Sequence, residues 1–321
     1  MMSKYQMPAC RKKTTIGGQA IIEGIVMKGP EKTCVVVRKP DGTLETNERE
    51  TKNYAKKFKI LGLPIFRGAV SLFTAMKEGL EDIEYSSKFI EEEDEEEQPS
   101  KFETWLENKF GTEKLEKIIM AVAIVIGIAI PVGLFMLLPS FVGGLLPAQT
   151  PNVLRNFFEG ILRVVIFLCF MWMVSHMKDI RRTFEYHGAE HKTIFCYEAA
   201  LPLTVENIRG MPRFHPRCGT SFMFVLIIVA TLVSSIVFSI VTVTNPFLRA
   251  LTHLLILPLV VGISYEFNRY AGRHDNIICR MLRFPGLMIQ HLTVFEPDDS
   301  MIEVAIEGMN HVIPADDSDA W

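Results

Sequence analysis

Four stretches of the chain are apolar over lengths that a soluble core does not require. Residues 118–138 and 222–243 are uncharged runs of 21 and 22 residues, and about 20 apolar residues cross the hydrocarbon core of a bilayer as a helix. Residues 157–177 carry Glu159 and Arg163, four apart, so the two can pair on one helix face while Arg163 reaches toward the headgroups. Residues 249–265 contain His253 and Pro258. Proline is tolerated where neighbouring helices satisfy the freed carbonyl, and a histidine inside a span is expected to hydrogen-bond between helices. The pattern predicts four transmembrane helices.

The rest of the chain alternates differently. Residues 14–50 read as β structure, with a valine-rich run over Thr33–Arg38 and a turn at Lys39-Pro40-Asp41-Gly42. From Pro64 to Tyr85 the period becomes helical, with Ile65, Ala69, Leu72, Phe73, Met76 and Leu80 on one face. The opposite face is acidic rather than basic, so the apolar face is expected to pack on the strands rather than on a membrane. Residues 91–100, which open with seven acidic side chains, read as a solvated linker. Residues 101–117 read as an amphipathic helix entering the first span. Near the end, a last helix is expected to be capped by Asp299 or Ser300, with Glu303 completing a capping box.

The fold class expected is an α-helical integral membrane protein of about four transmembrane helices (118–138, 157–177, 222–243 and 249–265) with a cytoplasmic α+β part. That part comprises region 1–90, loop 178–221 and C-terminal region 266–321. Orientation follows from lysine and arginine in the short loops. Lys178, Arg181, Arg182, Lys192, Arg209, Arg213 and Arg217 lie between spans two and three, and Arg269, Arg273, Arg280 and Arg283 follow span four. The intervening loops carry Arg155 and Arg249 alone. A multi-pass protein of the cytoplasmic (inner) membrane with both termini cytoplasmic is expected.

Composition changes this picture little. The net charge of −3 combines the acidic linker with basic membrane-flanking segments, and no basic patch interleaved with aromatics points to nucleic acid. The expected partners are the lipid bilayer and other membrane proteins. No apolar stretch of signal-peptide type precedes Ile118, so no cleaved leader is expected. The six cysteines are scattered without a C-x-x-C pair, and most fall on the expected cytoplasmic side, where thiols stay reduced.

The chemistry gathers at span ends. His187 and His191 are four apart, so on a helix both rings project from one face, with Glu190 alongside. This H-x-x-E-H order is the inverted zincin pattern, in which the glutamate acts on a water whose pKa a divalent ion has lowered. His215 and Cys218 precede span three, in a turn marked by Pro216 and Gly219, and are of the residue types zinc prefers. Glu266 could supply a carboxylate ligand or pair with an arginine. The sharp reading makes His187, His191, His215, Cys218 and Glu266 candidate zinc ligands and Glu190 a catalytic base. The plain reading makes the same residues a polar network that holds helices together. The segment from Ile16 to Gly24 adds Gln19 and Glu23 among glycines, without the Gly-Lys-Ser/Thr of a phosphate loop, and reads as a β-turn.

Taken together, Ile16–Gly24, His187-Gly-Ala-Glu-His-Lys192, His215-Pro-Arg-Cys-Gly-Thr-Ser-Phe222 and Glu296-Pro-Asp-Asp299 resemble the YqhQ-like family of bacterial membrane proteins, defined by domain of unknown function 1385. The resemblance runs from about residue 14 to 310. It implies a membrane protein without an established reaction, described in places as a metal-dependent enzyme. Gln19, Glu23, His187, Glu190, His191, His215, Arg217 and Cys218 stand in its motifs, whereas Met288 stands where similar chains have tryptophan.

Overall fold

The computed structural model describes residues 12–52, 59–89, 109, 111–147, 149–241, 243, 245–274 and 276–320. The acidic run at 91–100 and most of 101–117 lie outside the described residues. Among the described residues the fold is mostly helical with one small antiparallel sheet. The strands are β1 (Gly17–Ile21), β2 (Gly24–Lys28), β3 (Lys32–Arg38) and β4 (Leu44–Glu50). The helices are α1 (Phe66–Ser87), α2 (Thr112–Val132), α3 (Leu138–Gly144), α4 (Asn152–Val174), α5 (Lys178–Glu198), α6 (Val205–Arg209), α7 (Gly219–Ile240), α8 (Pro246–Arg273), α9 (Ile277–Thr293) and α10 (Asp299–Val312). Four helical stretches, Ile118–Gly144, Asn152–Val174, Phe222–Ile240 and Phe247–Arg273, are long and apolar enough to cross a membrane.

The chain divides into two compact units, one of Met1–Ile90, Leu168–Leu226 and Pro258–Trp321, the other of Glu91–Phe167 and Ile227–Leu257. In the first, the sheet is a meander in the order β1-β2-β3-β4. Ile21 pairs with Gly24 across a two-residue turn, and Val26 pairs with Val35. Strand side chains alternate between faces. Ile25, Met27, Cys34 and Val36 therefore join Tyr186 and Ala189 of α5 and Met301, Ile302, Ala305 and Met309 of α10 in the main core. Ile21, Val26, Val35 and Val37 point the other way, against Tyr85 and Phe89 at the end of α1. Burial on both faces explains why β2 and β3 are continuously apolar rather than alternating. Asp298, one residue before the expected cap, accepts the Met301 N–H at 2.9 Å and starts α10.

α1 corrects a sequence expectation. Its apolar face is turned outward, with Phe73 74% and Leu80 65% exposed, and its packed face carries Gly68, Gly79, Asp82 and Ser86. Close approach decides the orientation. A β-carbon at Gly68 would lie 2.6 Å from the Tyr265 side chain and 3.0 Å from the Gly262 backbone, so only the small-residue face can meet α8 this closely. Asp82 then receives both Arg49 guanidinium nitrogens, at 2.5 and 2.7 Å, and is tied to β4.

The second unit is built from apolar helices around a few buried charges. Arg163 does not reach outward to headgroups. It donates to the Phe135 carbonyl at 3.1 Å and lies 2.8 Å from His253 Nε2, and its guanidinium is 3.5 Å from Glu159. Arg249, read from sequence as a loop residue, sits inside α8. It lies 3.1 Å from Glu159 and hydrogen-bonds Asn156. The other ring nitrogen of His253 meets Ser234 at 3.0 Å. Glu159 is thus shared by two arginines while only 1% exposed. Removing one partner of a buried pair leaves an uncompensated charge. Glu159→Ala and Glu159→Gln both remove the charge that the two arginines share, so both are expected to destabilise the detergent-solubilised protein by roughly 3–5 kcal/mol, read as a lowered Tm. A Glu159→Gln protein as stable as wild type would show that the charge is immaterial.

Candidate metal centre

α5 carries the centre because its amphipathic pattern buries the strip from Tyr186 to Lys192 against the sheet, α9 and α10. At Gly188 the helix passes the segment after α9 so closely that a β-carbon would lie 2.0 Å from the Phe295 carbonyl oxygen. This proximity sets the tautomer of His187, whose Nδ1 lies 3.0 Å from the Thr293 carbonyl. A carbonyl only accepts, so Nδ1 holds the proton and Nε2 is left with its lone pair. His191 Nδ1 likewise donates to the Arg213 carbonyl at 2.6 Å. Burial holds the His191 imidazole below its ordinary range, and the neutral ring is the form that binds metal.

Cys218 completes the group. Its sulfur lies 3.2 Å from His187 Nε2 and receives the Thr220 N–H at 3.5 Å. The donor atoms of His187, His191 and Cys218 all lie within 4.8 Å of one another, the group among the described residues that could hold a metal ion. Zn–N distances of about 2.0–2.1 Å and Zn–S of about 2.3 Å place tetrahedral donors roughly 3.3–3.6 Å apart. The residues fit such an ion by donor type and by backbone carbonyls that fix both rings, the usual outer partners of metal-binding imidazoles, and Cys218 and His187 already stand near the required separation.

Glu190 stands beside the group without belonging to it. Its carboxylate oxygen is 3.9 Å from His187 Nε2. Burial pushes its carboxyl above the ordinary range, opposed by His187 and by a hydrogen bond from the Gly18 backbone N–H. A β-carbon at Gly18 would come within 3.0 Å of the Glu190 side chain. The first motif therefore leaves room for, and hydrogen-bonds, the glutamate of the second. Within that first motif, Glu23 occupies the β1–β2 turn at φ 49°. Arg182 grips both its carboxylate oxygens, and the Tyr186 hydroxyl donates to it at 3.2 Å. The Gln19 amide rests against Gly79 of α1.

The structure separates the remaining candidates. The His215 ring lies 5.5 Å from that of His191, centroid to centroid, and its Nε2 is 3.8 Å from Glu198. Burial pulls the His215 imidazole down to about 4 despite the carboxylate beside it. Glu198 also binds Arg217 and accepts the Thr14 N–H at 2.9 Å. Glu266 is gripped by Arg67 through two hydrogen bonds, so of the two sequence alternatives it takes the arginine.

Two features escaped the sequence. Gln290 is fully buried and clamps the backbone of His215 like a strand neighbour, accepting its N–H and donating to its carbonyl, both at 2.8 Å. The same carbonyl accepts the Cys218 N–H at 3.3 Å, which makes the turn that aims the sulfur. Lys192 pairs with Glu296 and donates to the Arg209 carbonyl at 3.0 Å, linking the second and fourth motifs. A glutamine on the apolar face of α9 was the available signal for Gln290.

Four helices of membrane-crossing length among the described residues and an α+β unit with a His–His–Cys cluster define a class: helical proteins that carry both membrane-length helices and a candidate metal site. The chain belongs to the family described as Protein of unknown function (DUF1385), whose model matches residues 63–315. It is 32% identical over 316 residues to the Uncharacterized protein YqhQ of Bacillus subtilis (strain 168), covering 97% of this chain and 95% of that protein. No solved structure matches it.

Metal content by inductively coupled plasma mass spectrometry is the direct check. The wild type purified without chelator is expected to carry near-stoichiometric zinc, and His187→Ala/His191→Ala none. Gln290→Ala is expected to lower zinc affinity as well, because it releases the turn that aims the Cys218 sulfur. Zinc retained in the double variant would place the metal elsewhere.

Proposed function

We propose that the chain is a multi-pass protein of the cytoplasmic membrane, with both termini on the cytoplasmic side, and that it is a zinc-dependent hydrolase acting at that membrane face. The observation that supports this most is the asymmetry of the centre. Three donors converge, both histidines are fixed with Nε2 inward, and one buried carboxylate stands next to them with no Lys or Arg paired to it among the described residues. Structural zinc sites use four protein ligands and catalytic ones three. A bound zinc ion would supply positive charge that polarises an electrophilic substrate and makes water easier to deprotonate.

The chain's own residues do the rest. Glu190 accepts a proton at its carboxylate, which Gly18 N–H orients and which burial makes more basic than a solvated one. His187 and His191 hold position through Thr293 and Arg213, and Cys218 through the turn that Gln290 clamps. The membrane placement rests on four helices of sufficient length and apolarity together with the lysine and arginine asymmetry of the connecting loops. The lipid bilayer and other membrane proteins are the proposed partners, and no nucleic acid is among them.

A second reading has its own support. The buried Glu159, Arg163, Arg249 and His253 form a polar network of the kind that fastens apolar helices. On that reading the protein is a membrane scaffold or regulator and the His–Cys cluster is more of the same fastening. Glu190→Gln separates the two. The hydrolase reading expects a folded variant that keeps its zinc but loses the function wild type restores to a deletion strain, a loss of about 100-fold or more in any assayed hydrolysis. Full complementation by a zinc-loaded Glu190→Gln protein would overturn it in favour of the scaffold.

A further inference from the structure

A cleft of about 860 Å³ lies in the first unit with Pro216, Arg217 and Cys218 in its wall. One donor of the candidate metal centre therefore also lines this cleft. Seven lysine and arginine side chains line it, Lys28, Lys52, Arg67, Arg217, Arg269 and Arg273 among them, and no lining residue among those described is Asp or Glu. Three of these cations are held from behind, Lys28 by Glu78, Arg67 by Glu266 and Arg217 by Glu198. Such pairs fix the side chains in place. The charge facing the cleft remains of one sign.

Seven cations against those three carboxylates leave the lining with a net positive charge. Arg269 and Arg273 are one helical turn apart on α8, and like charges at that spacing repel. A concave wall of one sign focuses the field and raises the local concentration of counter-ions. A carboxylate brings one negative charge, whereas a phosphate ester brings about 1.5–2 with three acceptor oxygens, which suits several converging guanidinium and ammonium groups. The volume lies within the range of about 300–1,000 Å³ typical of organic-ligand sites, far more than a bare phosphate occupies. Val70, Phe222 and Tyr265 supply an apolar flank for the remainder of such a molecule.

We propose that this cleft binds a phosphate monoester or diphosphate, carried on a lipid or on a soluble molecule, and presents it to the His187–His191–Cys218 centre. The presentation rests on the hydrolase reading above. The binding does not.

The test uses the full chain in detergent, with inorganic pyrophosphate as the soluble probe and phosphatidic acid in phosphatidylcholine mixed micelles as the lipid probe. Saturable pyrophosphate binding by isothermal titration calorimetry is expected. It should weaken at least tenfold in Arg269→Gln/Arg273→Gln and severalfold in Lys52→Gln, an exposed position whose change leaves folding intact. Lys88→Gln/Lys178→Gln, which removes two exposed charges outside the cleft, should bind like wild type. Displacement of pyrophosphate by phosphatidic acid but not by phosphatidylcholine alone would assign a lipid source, and pyrophosphate binding without that displacement a soluble one. The proposal is overturned if neither probe binds saturably, or if the two double variants weaken binding equally, which would reflect general surface charge. Measurements on His187→Ala/His191→Ala separate the two ideas. Probe binding retained there, with wild-type protein free of zinc, leaves the cleft standing and removes the hydrolase. Zinc-loaded wild type that binds neither probe does the reverse.

Discussion

The backbone of α5 and the chain just beyond α9 meet at Gly188, at a distance that excludes any β-carbon. Much of the candidate centre depends on that contact. It brings the Thr293 carbonyl to His187, so the ring is held with its second nitrogen inward. It also seats Glu296 beside Lys192, a lysine only 2% exposed that would otherwise be a buried charge without a carboxylate. A methyl group here would have to push α5 away from the segment, and the histidine and the lysine would lose their partners together. The motif glycine is a steric requirement rather than a flexible joint.

The same logic of close approach and paired charge recurs along the first unit. Gly18 leaves space for Glu190 and supplies its hydrogen bond. Gly68 admits Tyr265 and turns the apolar row of α1 outward. Arg182 and Tyr186 of α5 hold Glu23 in a left-handed turn conformation that a glutamate adopts only at a cost. These contacts connect segments far apart in sequence, so the four motifs form one structural object. In the second unit the principle is narrower. A few charged and polar side chains share one buried network among helices whose other surfaces are apolar.

Hydrophobic periodicity made much of the architecture legible. Length and apolarity identified helices able to cross a membrane, because backbone hydrogen bonding in an apolar medium leaves a helix few alternatives. The valine-rich run announced the sheet, since β-branched side chains suit a pleated, buried surface. Spacing placed His187, Glu190 and His191 on one face of a helix, which needs only the 3.6-residue turn. Periodicity misled at α1, where it gave an apolar stripe but could not say that a stripe of small residues on the other side would win the packing contest. It found the Glu159–Arg163 pair, four apart on one helix, but left Arg249 in a loop, because its contact with Glu159 is between helices and no linear pattern records it.

What the sequence determined by itself is therefore everything set by local geometry: helix length, strand alternation, and which side chains share one turn of α5. The tertiary structure alone decided which of the candidate ligands converge. Cys218 reaches the two histidines because a turn clamped by Gln290, 75 positions from His215, aims its sulfur. Glu266 does not, because Arg67 of another helix claims it first. Tautomers, carboxylate partners and the one-signed wall of the cleft all come from groups distant in the chain. Their energies depend on separations of a few ångströms, and only folding sets those.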